Sequence, residues 1–238
     1  VQNPSFFSHT HNSSVILQYI DLLYSHRVLG IVVCSHIGET MEHLDSNCPL
    51  ISFEREIAEN IPAVLCDNYQ GGILAANRLF DAGCRNIAIF NPPTKENIPA
   101  YSREKAFMKC CEDKKISGRV VYTDRLAPLS EEFGNNILEL LKKNSDLDGI
   151  FATSDVMAAN IIRACKKMGK RVPEDISIVG FDDTWISTLT YPSITTIHQP
   201  VQEMCEYAIE AIVKKVKSEK VPSQVVFPVE LIDRESTK

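Results

Sequence analysis

The sequence has no surplus of basic residues. Its 25 Lys and Arg stand against 31 Asp and Glu, a formal net charge of -6 with neutral His, so it offers no basic face for gripping DNA. It has no run of about 18 apolar residues, which excludes a helical membrane span. Its opening, VQNPSFFSHTHNSS, lacks the basic stretch followed by an apolar stretch that marks a secretory signal. GxSxG, Walker and dinucleotide fingerprints are missing, which removes the usual hydrolase nucleophile and phosphate loops, so no cofactor is expected. The eight cysteines (Cys34, Cys48, Cys66, Cys84, Cys110, Cys111, Cys165 and Cys205) include no CxxC pair and no Cys/His cluster at zinc spacing. His9, His11, His26, His36 and His43 do not combine with carboxylates at metal spacing, so no metal is expected. Most of the thiols sit in apolar contexts as small buried hydrophobes. Such a scatter fits a reducing cytoplasm, and the vicinal pair Cys110-Cys111 is the one redox candidate.

What the chain does contain is alternation. At 238 residues it is long enough for one α/β domain or two lobes, and helical and strand periods follow one another as in parallel βαβ units. Apolar residues at helical spacing in 15–26 (Ile16, Tyr19, Ile20, Leu23) predict a helix. Short apolar runs at 31–34, 49–53 and 63–66 suit strands covered on both faces. Gly71-Gly72 opens a helix that Gly83 closes, and 86–90 is the next strand. Asn91-Pro92-Pro93 reads as a crossing between lobes. Beyond it, helices are expected at 102–115, 130–143, 154–168 and 201–217, and strands at 120–122, 149–152, 176–180 and 224–232. The predicted fold class is α/β, with two similar lobes, each a parallel sheet flanked by helices and joined by crossover strands. Residues 1–92 with 199–222 form the first lobe, and 93–198 with 223–238 the second.

The stretch RVPEDISIVGFDDTWISTLTYPSITTIHQP at 171–200 is the most informative. Its strand runs into Gly180, an aromatic and two adjacent carboxylates, Asp182 and Asp183. The carboxyl end of such a strand in an open α/β sheet is where small ligands are held. Three more blocks accompany it: DNYQGGILAANRLFDAGCRNIAIF at 67–90, SDVMAANIIRACKKMGKRVPEDISIVGFDD at 154–183 and VVFPVELIDRES at 225–236. Together they resemble the effector-binding domain of LacI/GalR-type bacterial transcription regulators, whose sheets are like those of periplasmic sugar-binding proteins. The resemblance covers nearly the whole chain, in the family's order. Two departures matter. The family's N-terminal helix-turn-helix and hinge helix are not in this sequence. In addition, NPSFFS at 3–8 resembles the turn after the family's first strand, and THNSS at 10–14 the end of its second. The family places a βα unit of roughly 25 residues between them. Either that unit is absent, or the sequence joins two fragments between Phe7 and Thr10. Deleting the unit would open a sheet edge and the core, which favours the second reading.

The resemblance implies a sugar site, in which aromatic faces cover C–H surface while carboxylates accept and guanidinium forks donate hydroxyl hydrogen bonds. Phe6 and Phe7 resemble the paired aromatics after the first strand, with a core role as the alternative. Glu54-Arg55 resembles the Asp-Arg pair of ribose-type binders, against a solvated loop pair. Arg103 stands where the family's RxxGF pattern places its ligand arginine, although Ala106 replaces the glycine. Asp182 matches the ligand carboxylate of the G-[FY]-D block, while Asp183 is assigned to shaping the following loop. Gln199 resembles a polar ligand contact beside a lobe crossing at Ile197-His198. Leu129 occupies the position where many relatives carry a ring-stacking aromatic. Ser154 and Asp155 are read as a helix cap, Asp155 near the pocket.

These features imply a non-enzymatic effector-sensing and dimerisation module of a repressor-type regulator. Its partners would be a carbohydrate effector held between the lobes, a second copy of the chain, and operator DNA reached only through a separate N-terminal domain. The alternative is the sugar-binding protein of a membrane transport system. An α/β enzyme using Asp182 or Asp183 with His198 lacks a nucleophile motif and a cofactor loop.

Overall fold

The computed structural model describes residues 13–34, 48–93, 98–124 and 126–238. Phe6, Phe7, His9, His11, His36, His43 and the junction between Phe7 and Thr10 lie outside the described residues. The chain divides into two compact units, Val1–Leu65 with Val201–Val226, and Cys66–Pro200 with Phe227–Lys238.

The first unit holds helix α1 (Ser13–Ser25) and strands β1 (Ile31–Val33), β2 (Leu50–Phe53) and β3 (Ala63–Cys66). It also holds the late helix α7 (Val201–Val216) and strand β9 (Gln224–Phe227). The strands form one sheet in the order β1-β2-β3-β9, with β1, β2 and β3 parallel. Met204, Ala208, Ala211 and Ile212 supply the buried stripe of α7, while Cys205, Ile209 and Val216, apolar residues at the same helical spacing, are exposed.

In the second unit the elements are α2 (Asn68–Asp81), β4 (Asn86–Asn91), α3 (Tyr101–Lys114), β5 (Ser117–Tyr122), α4 (Glu131–Lys143), β6 (Gly149–Ala152), α5 (Asp155–Lys167), β7 (Ser177–Asp182), α6 (Ile186–Leu189), β8 (Thr195–His198) and β10 (Glu230–Ile232). Their sheet runs β10-β8-β7-β6-β4-β5, parallel throughout except for the antiparallel β10–β8 pair. Pleating sends alternate side chains to opposite faces. Ala88, Phe90, Ile150 and Ile178 pack with Phe133, Ile137 and Leu141 of α4 and Ile161 and Cys165 of α5. On the other face Phe151 lies between Phe107 of α3 and Phe181, with ring centroids at 5.9 and 6.3 Å. Small residues bring α2 close: a Cβ on Gly71 would meet the Phe181 ring at 2.7 Å, and one on Gly72 would collide with the Arg103 carbonyl oxygen.

Most helices and strands fall where the periodicity puts them, but α6 and β8 are not among the expected elements. The lobe crossing expected at Ile197-His198 lies inside β8, paired with β7 and β10. Three further differences stand out. At the expected crossing, Asn91-Pro92-Pro93, the chain stays in one unit: β4 is an inner strand paired to β5 on one side and β6 on the other, and α3 belongs to the same unit. The units divide after Leu65 instead, while the later divisions, after Pro200 and Val226, fall within a few residues of those expected after 198 and 222. A Pro-rich turn punctuates a chain in the same way whether the next element stays in the lobe or leaves it. Second, the single strand expected over 224–232 is two strands in different sheets, β9 and β10. Pro228 between them has no N–H to continue a ladder. Third, α2 begins earlier than the Gly pair, at Asn68, because the Asp67 carboxylate caps it by accepting from the Gln70 N–H at 2.8 Å.

Candidate functional site

The carboxyl ends of β4, β6, β7 and β8 gather the polar side chains of the second unit. Parallel strands all present this end on the same side, and each following loop starts there. At the end of β7, Asp182 has φ 104 and Asp183 φ 53, two consecutive non-glycine residues in the left-handed half of the map. The turn they make aims the Asp182 carboxylate at the loop after β8, where its Oδ1 accepts from the Gln199 side-chain amide at 2.6 Å. Gln199 is buried.

Arg103 enters from the first turn of α3 and is only 7% exposed. A buried guanidinium is costly unless its donors are used. Here Nε donates to the Asn68 Oδ1 at 2.6 Å, one terminal nitrogen donates to the Thr153 carbonyl at 3.1 Å, and the group stacks 3.4 Å from the Phe181 ring centre. Arg103 thus stacks on Phe181, the residue that precedes Asp182 in β7. The next residue on α3, Glu104, is also buried, where it accepts from the Asn91 amide at 3.1 Å and the Tyr122 hydroxyl at 3.0 Å. The hydrogen bond to Glu104 pushes the Tyr122 phenol above its usual range. Thr153 in turn donates to the Asn91 side chain at 3.2 Å.

Asp183 points away from this group. Burial pushes its carboxyl up, but hydrogen bonds from Arg234 at 2.6 Å and with His198 at 2.9 Å outweigh that and hold it below the usual carboxylate range. Its other contact, the Ser187 hydroxyl at 3.3 Å, ties it to the following loop, the role the sequence suggested. Asp155 differs from its expected role. Ser154 alone caps α5, accepting from the Met157 N–H at 3.2 Å. Asp155 is fully buried and accepts from the Thr184 N–H and hydroxyl and from the Thr196 hydroxyl, at 2.6, 3.1 and 2.6 Å. Burial raises its carboxyl above the usual range despite those bonds.

Of the expected site residues, Arg103, Asp182 and Gln199 therefore share one strand edge. Glu54 and Arg55 follow β2 in the first unit, partly buried, Glu54 at φ 53 with its N–H on the Val64 carbonyl at 2.9 Å. Leu129 is 85% exposed in the loop before Ser130, the N-cap of α4.

Residues 76–237 match the periplasmic binding protein-like domain family. The chain belongs to that family. Within it the similar proteins are LacI-type regulators. A ribose operon repressor of Halalkalibacterium halodurans is 31% identical over 93% of this chain and 66% of the repressor. A sucrose operon repressor of Lactococcus lactis is 28% identical over 93% of this chain and 68% of its own length. The chain thus spans about two thirds of these curated relatives. A periplasmic binding protein/LacI transcriptional regulator from Alkaliphilus metalliredigens, solved with D-xylulofuranose, has TM-score 0.81 and 31% identity over 95% of this chain and 84% of that one. A LacI family regulator from Enterococcus faecium with bound ribose has TM-score 0.80 and 27% identity over 93% and 84%. The family match takes in most of the second unit together with the late elements of the first, α7 and β9.

Sequence reasoning missed Asn68, Thr153, Phe181, Glu104 and Arg234 as partners in these polar contacts at the strand ends. Asn68 carried a usable signal, since the first residue of a helix after a buried strand lies at the ligand edge of such sheets. Arg234 carried none, because a lone arginine near a chain end has no periodicity to place it.

Proposed function

We propose that this chain is the effector-sensing and dimerisation domain of a LacI-type transcriptional regulator, a repressor, that binds a small sugar. The observation that carries the reading is the convergence of Arg103, Asn68, Asp182 and Gln199 at one strand edge. It sets a planar guanidinium donor and a carboxylate acceptor at the same end of the sheet, a chemistry suited to a neutral polyol. Phe6, Phe7, Glu54 and Arg55 are the first unit's proposed contribution, and Leu129 gives a weaker apolar contact where relatives have a ring. Relatives named as operon repressors, and similar structures holding ribose or xylulose, support regulation over delivery to a transporter. The reading is non-enzymatic and cytoplasmic. No helix among the described residues is long and apolar enough to cross a membrane. The homodimer carries a DNA-binding segment outside this sequence, and sugar alters operator affinity by binding its two arrangements unequally.

The test is a thermal-shift panel of pentoses, hexoses, disaccharides and their phosphates, where at least one compound raises Tm. A response only to purines or amino acids rules out the sugar class. No response to any small molecule rules out effector sensing.

A further inference from the structure

Two adjacent residues in the left-handed region are held at the end of β7, and the reason lies outside the ligand-facing group. Left-handed backbone at a non-glycine residue is costly and persists only where the surroundings over-determine it. Here the turn is gripped from both sides. On one side Asp155, projecting from α5, takes both the N–H and the hydroxyl of Thr184. Gly180 makes room for it, since a Cβ there would collide with the Asp155 Oδ1. On the other side the chain's last segment returns along the sheet. After β10 the Arg234 N–H donates to the Thr195 hydroxyl at 2.9 Å, and the Ser236 hydroxyl donates to the Ile178 carbonyl at 2.6 Å. This seats the Arg234 side chain, which is largely buried, over the turn. One terminal nitrogen donates to the Ser187 hydroxyl and the Ile194 carbonyl at 3.0 and 2.9 Å, and the other donates to Asp183 at 2.6 Å. His198, opposite Asp182 in the β7–β8 register, bonds the second Asp183 oxygen at 2.9 Å.

We propose that Arg234 and His198, by clamping Asp183, are positioning residues for Asp182: they fix the turn that presents the Asp182 carboxylate to Gln199 and to the effector. The clamp acts through the backbone: with the Asp183 carboxylate held at both oxygens, the left-handed turn it shares with Asp182 is restrained. It also makes the sugar site depend on the tail beyond β10, which touches no ligand. This inference rests on the reading of Asp182 as an effector residue.

The experiment has a ligand-free and a ligand-bound arm. In the first, the Gln199 side-chain amide resonance is followed by NMR without sugar. It moves in Arg234→Gln and Asp183→Asn toward its position in Asp182→Ala, and stays put in Arg78→Gln. Arg78 also anchors the tail, through Asp233 and the Lys238 carbonyl, but away from the turn. In the second arm, calorimetry with D-ribose, D-xylulose and cellobiose gives a loss of about tenfold or more for Arg234→Gln, partly restored in Arg234→Lys. In an Asp182→Ala background, Arg234→Gln produces no further loss. Additive losses, or an unmoved Gln199 resonance, overturn the proposal and leave Arg234 a stability residue. If the wild type binds none of the three sugars, the sugar reading suffers and the Gln199 resonance still decides the positioning role. Should Arg234→Gln not fold, Asp183→Asn and Arg234→Lys carry both arms.

Discussion

Replacing Asp182 separates binding from stability. Its carboxylate accepts from Gln199 at 2.6 Å, and a sugar hydroxyl bonded to it makes a charge-assisted contact of about 1.5–3 kcal/mol. Asp182→Ala therefore weakens the sugar by about 10- to 150-fold, at about 1.4 kcal/mol per tenfold. With sugar at about 100 times the wild-type Kd, binding stabilises the wild type by about 2.7 kcal/mol. At about 2–4 °C per kcal/mol for a chain of this size, Tm rises by about 5–11 °C. A variant about 100-fold weaker gains only about 0.4 kcal/mol at the same concentration, a shift of about 1–2 °C. Asp182→Gly provides the control. At φ 104 any side chain is strained, by about 1–3 kcal/mol, and glycine removes that strain. The glycine variant therefore melts above the alanine variant without sugar, while both lose the sugar-induced shift. Differential scanning fluorimetry with and without sugar reads all four quantities. A full sugar shift in Asp182→Ala refutes the assigned role.

Three other outcomes are expected. Phe151→Ala, which empties the fully buried centre of the Phe107–Phe151–Phe181 row, costs about 3–5 kcal/mol; chemical denaturation reads it, and a cost within the range of a surface substitution contradicts the packing. Asp183 has already released its proton in the folded state at a pH where the unfolded chain still holds it. Its contribution is complete above the ordinary carboxylate range and is lost as pH falls through its lowered value, so the acid melting curve of Asp183→Asn is flatter than that of the wild type. Native thiol labelling read by mass spectrometry modifies exposed Cys34 and Cys205 and spares buried Cys66, Cys84, Cys111 and Cys165; burial pushes Cys111 up to about 12 and Cys165 to about 11, so an early Cys110–Cys111 reaction contradicts the structure.

Most elements were legible because their signals are local. Continuous apolar runs mark strands covered on both faces, and α4 and α5 announce themselves by spacing, α5 also by Ser154 as cap. Asp182 and Gln199 were singled out through the 171–200 stretch and Arg103 through the RxxGF-like pattern, and the structure buries Arg103 and Gln199 with partners at the sheet's carboxyl end. The lobe boundary after Leu65 was not legible, because the prolines after β4 look the same whether the next helix packs beside its own sheet or elsewhere. The split at Pro228 was hidden for a related reason: pairing partners lie far away in sequence, so one apolar-rich stretch can serve two sheets.

What the amino-acid sequence determined alone was the α/β order, the family, and the strand end where two adjacent carboxylates stand, since each depends on neighbours along the chain. Only the tertiary structure decided what holds that chemistry in place. Asp155 left its expected cap for Thr184 and Thr196, Asn68 and Phe181 took the Arg103 guanidinium, and Arg234 reached back 51 residues to Asp183. A buried charge must find partners wherever the fold brings donors and acceptors together, and that choice is made by packing between segments, which no local pattern encodes.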